Sequence, residues 1–289
     1  MQAAAQTSAT APAAFRRAVL GRTGRELLRI GVGSSFGIGG RELEQAVEEH
    51  GVQYLYWGTL RTPWFGRAIR NLCRRGLREH LFIVVQSYSR LASLVRPSLC
   101  VALRRLGIER TDLLLLGWWN APVWPRILEA ALACQERGLV THLGVSTHQR
   151  PLVPGFAGPD SPFAVVHFRY NAAHRGAERD IFPHLPAARS ERAGLVAFTA
   201  LRWGQLLVAP AGAPPELPVP TAADCYRFVL SSPHVDVCLC GPRRGADLRH
   251  ALTALERGPM DPEELAWMRR FGDAVYAARG NPLPFSIRA

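Results

Sequence analysis

The sequence predicts a single (β/α)8 barrel, on three observations. Eight short, nearly continuous apolar runs follow one another along the chain. Segments of helical apolar spacing lie between most of them. The length, 289 residues, suits one barrel of about 250 residues with extensions. Runs that are apolar on both faces belong to parallel strands covered by helices, and eight strand–helix repeats close on themselves. Hydrophobic residues make up 48% and charged residues 20%, which excludes a wholly disordered chain. A doubly wound open sheet is the alternative. It would carry a GxGxxG turn after the first strand, where Gly31-Val32-Gly33-Ser34-Ser35 stands instead.

In chain order, residues 1–14 are small, polar or Pro-containing. They have neither a basic start nor an apolar stretch, so they read as a disordered tail and not a signal peptide. The expected compartment is therefore the cytoplasm, and residues 15–289 are the expected barrel domain. The predicted strands are Ile30–Gly33, Gln53–Tyr56, Leu81–Gln86, Asp112–Leu116, His142–Ser146, Ala164–Phe168, Gly194–Thr199 and Val235–Cys240. Leu99, Ala102, Leu103 and Leu106 have the i, i+3, i+4, i+7 spacing of a helix that stops at Gly107. Leu43, Ala46 and Val47 before Gly51, and Leu128, Ala131 and Leu132 before Gly138, repeat the pattern. Residues 209–220 are too rich in Pro for either element and read as a long loop after the seventh strand. Asp261-Pro262-Glu263-Glu264 is a cap, a first-turn Pro and a capping-box acid, opening a helix that runs to about Ala278.

The 35 Arg plus Lys residues against 23 acids give a net charge of +12. Every one of the 35 is Arg. Without Lys there is no Schiff-base chemistry and no Walker-type phosphate loop. The arginines are scattered, with pairs as the longest runs, so they read as a solvated surface and not as a nucleic-acid face. The longest strongly apolar stretch, Leu113–Trp119, is too short to span a membrane. Six widely spaced Cys read as reduced thiols; Cys238 and Cys240 alternate onto one face of a strand.

Several segments, in order, resemble the aldo-keto reductases. Leu20-Gly21-Arg22-Thr23-Gly24 and Ile30-Gly31-Val32-Gly33 are similar to that family's N-terminal hairpin and first strand. The segment Gly138–Ser146 resembles its fifth strand. Arg169-Tyr170-Asn171 with Arg175-Gly176-Ala177-Glu178 resembles its sixth, Gly194–Phe198 its seventh, and the stretch from Val235 to Arg243 its eighth. The resemblance covers about residues 16–272. It implies a barrel plugged at the bottom by a hairpin, with a C-terminal helix across its outside, that reduces carbonyls with NADP(H) bound in an extended pose.

The resemblance also implies four catalytic positions, Asp, Tyr, Lys and His, and this chain departs at each. Tyr56 stands at the Asp position, Arg61 at the Tyr, Gln86 at the Lys and Gly117 at the His. The family's proton donor and its supporting groups are thus all replaced, so the ordinary mechanism does not carry over. For the cofactor, the resemblance points to Ser146 and Thr147 near the nicotinamide amide, His167 at a usual Gln, Phe198 under the ring, and Arg243 on the adenosine phosphate. Asp247, His250 and Ala251 replace residues that grip the adenosine end.

Polar and aromatic groups gather at the strand C-terminal ends, where a barrel keeps its pocket. Tyr56 is the best acid candidate, provided a cation such as Arg61 sits beside it; its plainer role is to pack the mouth. Arg61 suits a carboxylate or phosphate, or simply a solvated loop. Trp57, Tyr88, Trp118, Asn120 and His148 are the expected small-molecule pocket, and His148 and His167 are the histidines nearest to acid–base use. No HExxH, no GxSxG and no carboxylate pair at matching strand ends occurs. The function expected is an NADP(H)-dependent oxidoreductase of non-standard mechanism. The alternatives are a cofactor-free isomerase or lyase and a non-catalytic binder of a ligand or partner.

Overall fold

The computed structural model describes residues 13–58, 61–212, 214 and 216–280. The expected tail lies outside them, except for its last two residues, which open α1 (Ala13–Arg16). A two-stranded antiparallel hairpin, β1 (Arg17–Val19) and β2 (Glu26–Leu28), comes first. Eight parallel strands follow: β3 (Ile30–Gly33), β4 (Tyr54–Trp57), β5 (Phe82–Ser87), β6 (Thr111–Leu116), β7 (Val140–Thr147), β8 (Phe163–Arg169), β9 (Gly194–Phe198) and β10 (Val237–Cys240). They close in sequence order, with β10 beside β3. Each lies within two residues of its predicted bounds. The last begins late, with Asp236 meeting β9 through its N–H to Leu195 O, 2.9 Å, and through its carboxylate, which accepts from Leu195 N–H at 2.9 Å.

Alternation divides the strand residues between two cores. Tyr54, Phe82, Val84, Leu113, Leu115, Val165, Val196 and Val237 fill the barrel, and Leu20 and Leu27 of the hairpin join them. The hairpin is therefore the floor of the barrel. The opposite set packs outward on the helices, which include α2 (Gly40–His50), α3 (Pro63–Leu72), α4 (Ala92–Leu106), α5 (Pro125–Glu136), α6 (Val153–Ala157), α7 (Ala177–Asp180), α8 (Ala222–Ser231) and α9 (Gly245–Arg257). In α4 the buried face is Val95, Leu99, Ala102, Leu103 and Leu106, and Gly107 closes it at φ +67°. Such an angle favours glycine, which has no Cβ to clash.

Only short helices follow β7 and β8. α10 (Pro262–Arg279) lies across the outside there, opened by reciprocal bonds between Asp261 and Glu264. It approaches so closely that a Cβ on Gly272 would overlap the carbonyl of Ala172. Arg269 and Glu178 pair across the contact at 2.7 Å.

The structure corrects the reading of the arginines as a solvated surface. Arg29, Arg192, Arg202 and Arg227 are at most 4% exposed. Arg29 donates to the carbonyls of Leu230 and Val235 at 2.8 and 2.7 Å. Arg22 donates to the carbonyls of Pro159, Ser161, Ala157, Gly158 and Glu191. A planar guanidinium with five N–H donors satisfies several loop carbonyls at once, and so rivets loops to the hairpin. The six cysteines are free, and Cys238 and Cys240 both face the outer core. No helix among the described residues is long and apolar enough to cross a membrane.

Candidate functional site

The C-terminal ends of the strands form the barrel mouth. Inward alternation along β4 brings Tyr56 there, above Tyr54. The Tyr56 hydroxyl donates to Gln86 Oε1 on β5. Arg61, in a left-handed backbone at φ +40°, sends its guanidinium to the carbonyls of Gln86 and of Ser98, the latter at 3.4 Å. Burial, and Arg105 nearby, lower the pKa of Arg61. Gly117, just after β6, completes the group. A Cβ there would overlap Gln86 Nε2 and would stand 2.7 Å from Tyr88 Cε1. Tyr56, Arg61, Gln86 and Gly117, far apart in sequence, thus meet at one spot, where side chains already occupy the space beside Gly117.

Below this spot, Tyr54 O–H and His167 Nε2 form a buried hydrogen bond of 2.6 Å. Burial holds the His167 imidazole neutral, with its pKa down at about 3, and pushes the Tyr54 phenol well above its usual value. The pair is neutral at pH 7. Sequence reasoning missed Tyr54, although stepping back two residues from Tyr56 places it on the same inward face.

The other half of the mouth is aromatic. Trp118, at φ +58°, donates its backbone N–H to Ser146 Oγ at 2.9 Å, and the Trp119 N–H reaches Ser146 O at 2.8 Å. Arg90 fastens this loop by donating to the carbonyls of Gly117 and Trp118 at 3.0 and 2.6 Å. Asn120 does not face the cavity with a free amide oxygen. Its Oδ1 accepts from His148 N–H at 2.9 Å and from Thr147 Oγ1 at 3.4 Å, so it ties down the end of β7. The His148 ring lies edge-on to Phe198 at 5.2 Å and to Trp118 at 6.0 Å. Burial, then Arg169, bring its pKa down to about 4, and its Nδ1 is buried without a partner. Tyr88 is partly exposed at the rim.

Trp57 departs from expectation. It follows Tyr56 by one residue, so it points the other way, into the outer core, and its indole N–H donates to Thr62 O at 3.0 Å. Arg243 is exposed in the loop between β10 and α9. There Asp247 Oδ2 accepts from the backbone N–H groups of Arg243 and Arg244 at 3.0 and 3.1 Å. Glu42 Oε1 accepts from Gly245 N–H at 2.7 Å. Among the described residues no group of three or more His, Cys, Asp or Glu could hold a metal ion.

Two of the solved structures that share this fold are informative. Both are of the aldo-keto reductase AKR11C1 from Bacillus halodurans. The apo form superposes with a TM-score of 0.70 at 16% identity, over 89% of this chain and 95% of that one. The holo form gives 0.71 at 16% identity, over 89% and 96%. The fold is that of the aldo-keto reductases. No protein-family model matches the sequence, and no curated protein matches it.

The nucleotide that the aldo-keto reductase resemblance implies finds an uneven site. Ser146 pairs with His167, and Phe198 pairs with Arg169 two residues further along β8, while His167 is buried on Tyr54 below the mouth. The far end does not fit a 2′-phosphate. The amides at the start of α9 that would receive an anion are already satisfied by the carboxylates of Asp247 and Glu42.

Proposed function

We propose that the chain binds a small organic molecule in the barrel mouth and does not perform carbonyl reduction of the ordinary aldo-keto reductase kind. One observation carries this reading: the Tyr56 hydroxyl proton is committed to the Gln86 amide, while Arg61 is spent on backbone carbonyls. An amide cannot titrate, so it cannot pass a proton on. The chain contains no lysine to do so in its place. The walls around this spot are the Trp118, His148 and Phe198 rings, which suit a flat, neutral ligand.

A second reading, an NADP(H)-linked oxidoreductase of non-standard mechanism, draws on the Phe198 ring and Ser146 at the ends of β9 and β7, and on a fold neighbour that has a holo form. The two readings part in one experiment. Wild type, Phe198→Ala, Arg243→Ala and Asp247→Ala are titrated with NADPH and NADH and assayed with an aromatic aldehyde. Loss of a positioned general acid costs about 10²–10⁴-fold in rate, so turnover is expected to be at or below that deficit. Brisk aldehyde reduction overturns the first reading. The second requires Arg243→Ala to weaken NADPH more than NADH, since only NADPH offers a phosphate for a charge-assisted contact. If neither nucleotide binds at millimolar concentration, it is removed.

A further inference from the structure

Three successive helices, α3, α4 and α5, begin at the mouth end of the barrel, after the neighbouring strands β4, β5 and β6. Large apolar side chains that the core does not take up stand where they begin. Trp64 in the first turn of α3 is 40% exposed. Leu91 and Leu94 at the start of α4 are 61% and 50% exposed, and Trp124, just before α5, is 54% exposed. Leu91 and Trp124 line one open groove, so the members from α4 and α5 adjoin. Cα–Cβ bonds in a helix lean toward its N-terminus, so side chains of a first turn project toward the end of the barrel. Single apolar residues scattered on a surface need no explanation, whereas four gathered on one rim form a contact surface.

The charge around these tips is of one sign. Residues 61–78, 80–108 and 113–128 contain no Asp or Glu. The acids that interrupt them, Glu79, Glu109 and Asp112, stand ahead of β5 and β6 or at the start of β6, at the floor end. Arg67, Arg96 and Arg126 are exposed. Arg61 and Arg90 add two cations whose partners are uncharged carbonyls. Arg67, Arg96 and Arg126 stand two or three residues behind Trp64, Leu94 and Trp124, a setback of about 3–5 Å along a helix. Apolar groups foremost and guanidinium groups a step behind match the order of a bilayer edge, where acyl chains lie under a layer of phosphates. A nucleic acid would stack on the Trp rings but has no use for the two leucines. An acidic protein segment would not require the order in depth.

We infer that this rim docks on the surface of an anionic lipid bilayer. Trp64, Leu91, Leu94 and Trp124 enter the boundary between headgroups and acyl chains, and Arg67, Arg96 and Arg126 meet lipid phosphates. The net charge of +12 draws the chain to the surface, and the one-signed rim orients it there. The contact is peripheral: side chains insert, and no helix does. It does not depend on what the mouth binds.

The full chain is mixed with vesicles of phosphatidylcholine alone, or of equal parts phosphatidylcholine and phosphatidylglycerol, and bound protein is measured by co-sedimentation. Binding is expected to the mixed vesicles and not to phosphatidylcholine alone. Lipids brominated on their acyl chains should quench tryptophan fluorescence, and the double variant Trp64→Ala with Trp124→Ala should lose most of that quenching. The triple variant Arg67→Gln, Arg96→Gln and Arg126→Gln should weaken binding about a hundredfold, at about fivefold per arginine near the surface. A control with the same change in charge, Arg16→Gln, Arg110→Gln and Arg137→Gln, removes exposed arginines of the floor end and should weaken it about fivefold or less. Leu91→Ser with Leu94→Ser should cost about tenfold or more, from lost apolar insertion. All these residues are exposed, and an unchanged Tm confirms that the variants fold. Polyglutamate serves as the acidic polypeptide for comparison. The inference is overturned if the chain binds polyglutamate but not the mixed vesicles, or binds neither. It is equally overturned if the two triple variants lose affinity to the same extent, if the leucine variant binds as wild type does, or if brominated lipids leave the fluorescence unchanged.

Discussion

The floor and the mouth of this barrel handle polar groups in opposite ways. At the floor, Asp236 is fully buried and fully matched. It takes both arms of Arg192 at 2.9 and 3.0 Å, Arg189 at 3.0 Å and the Leu195 N–H at 2.9 Å. At the mouth, His148 Nδ1 and His174 Nε2 are buried without partners. All five non-glycine residues of positive φ among those described, Arg61, Trp118, Thr199, Arg202 and Trp203, follow the C-terminal ends of β4, β6 and β9. Left-handed backbone at a bulky residue stores strain that the surroundings must hold in place. One sheet therefore has an end braced by a matched buried carboxylate and an end where backbone strain collects, as expected where a barrel keeps its ligands.

The largest effect should come from breaking the floor. Asp236→Ala leaves Arg192 buried with no counter-charge, and removing one partner of a buried pair costs about 3–5 kcal/mol. Arg29 also gains from the Asp236 charge, although burial holds its pKa down at about 10. Chemical denaturation measures the loss. A change below about 1 kcal/mol, the worth of an exposed pair, would mean the floor contributes no special stability and would erase the contrast.

Acid should act on the histidines of the mouth. Burial holds His167 at about 3 in the folded chain, against its ordinary 6.5. As pH falls below 6.5 the unfolded chain takes up this proton and the folded chain does not. Stability is therefore complete above that value and declines toward about 3, by roughly 1.4 kcal/mol per pH unit. His148 and His174 shift in the same direction for the same first cause, burial, to about 4 and about 3. Asp180 is lowered to about 2, first by its bond from Arg179, so its contribution is lost only at more acid pH. His167→Gln keeps an amide to bond Tyr54 but cannot titrate, so denaturation between pH 6.5 and 4 should show a shallower slope in the variant. Equal slopes would show that His167 is not kept neutral.

The sheet was legible because strands buried on both faces read as continuous apolar runs, and each run carries its own evidence. The mouth was legible in part. Tyr56, Arg61, Gln86 and Gly117 stand at positions the resemblance points to and do meet, whereas Trp57, next to Tyr56 in sequence, alternates to the outer face. What stayed hidden depends on backbone partners. An arginine bonded to carbonyls, such as Arg22 or Arg90, looks in sequence like any solvated arginine. Glu42 reaches Gly245 N–H across 203 residues, and neither neighbourhood carries a trace of the other. The same holds for Asp247, whose bonds to the Arg243 and Arg244 amides leave no mark in the sequence.

The smallest effect tests whether the mouth is closed by its own side chains. Gly117 is needed because Gln86 and the Tyr88 ring fill the space where its Cβ would go. Gly117→Ala forces the Gln86 amide to move, and moving it breaks the bond that Tyr56 donates. Crowding of this kind costs about 1–3 kcal/mol, and the low end applies because Gln86 has rotamers to spare and Tyr88 is partly exposed. The double variant Gly117→Ala with Gln86→Ala should recover part of that loss, because the nearest colliding group, the Gln86 amide, is gone while the Tyr88 ring stays. A single variant as stable as wild type would mean that the mouth is already open at Gly117. A double variant no more stable than the single one would place the cost in the backbone or the Tyr88 ring and leave Gln86 with no part in closing the site.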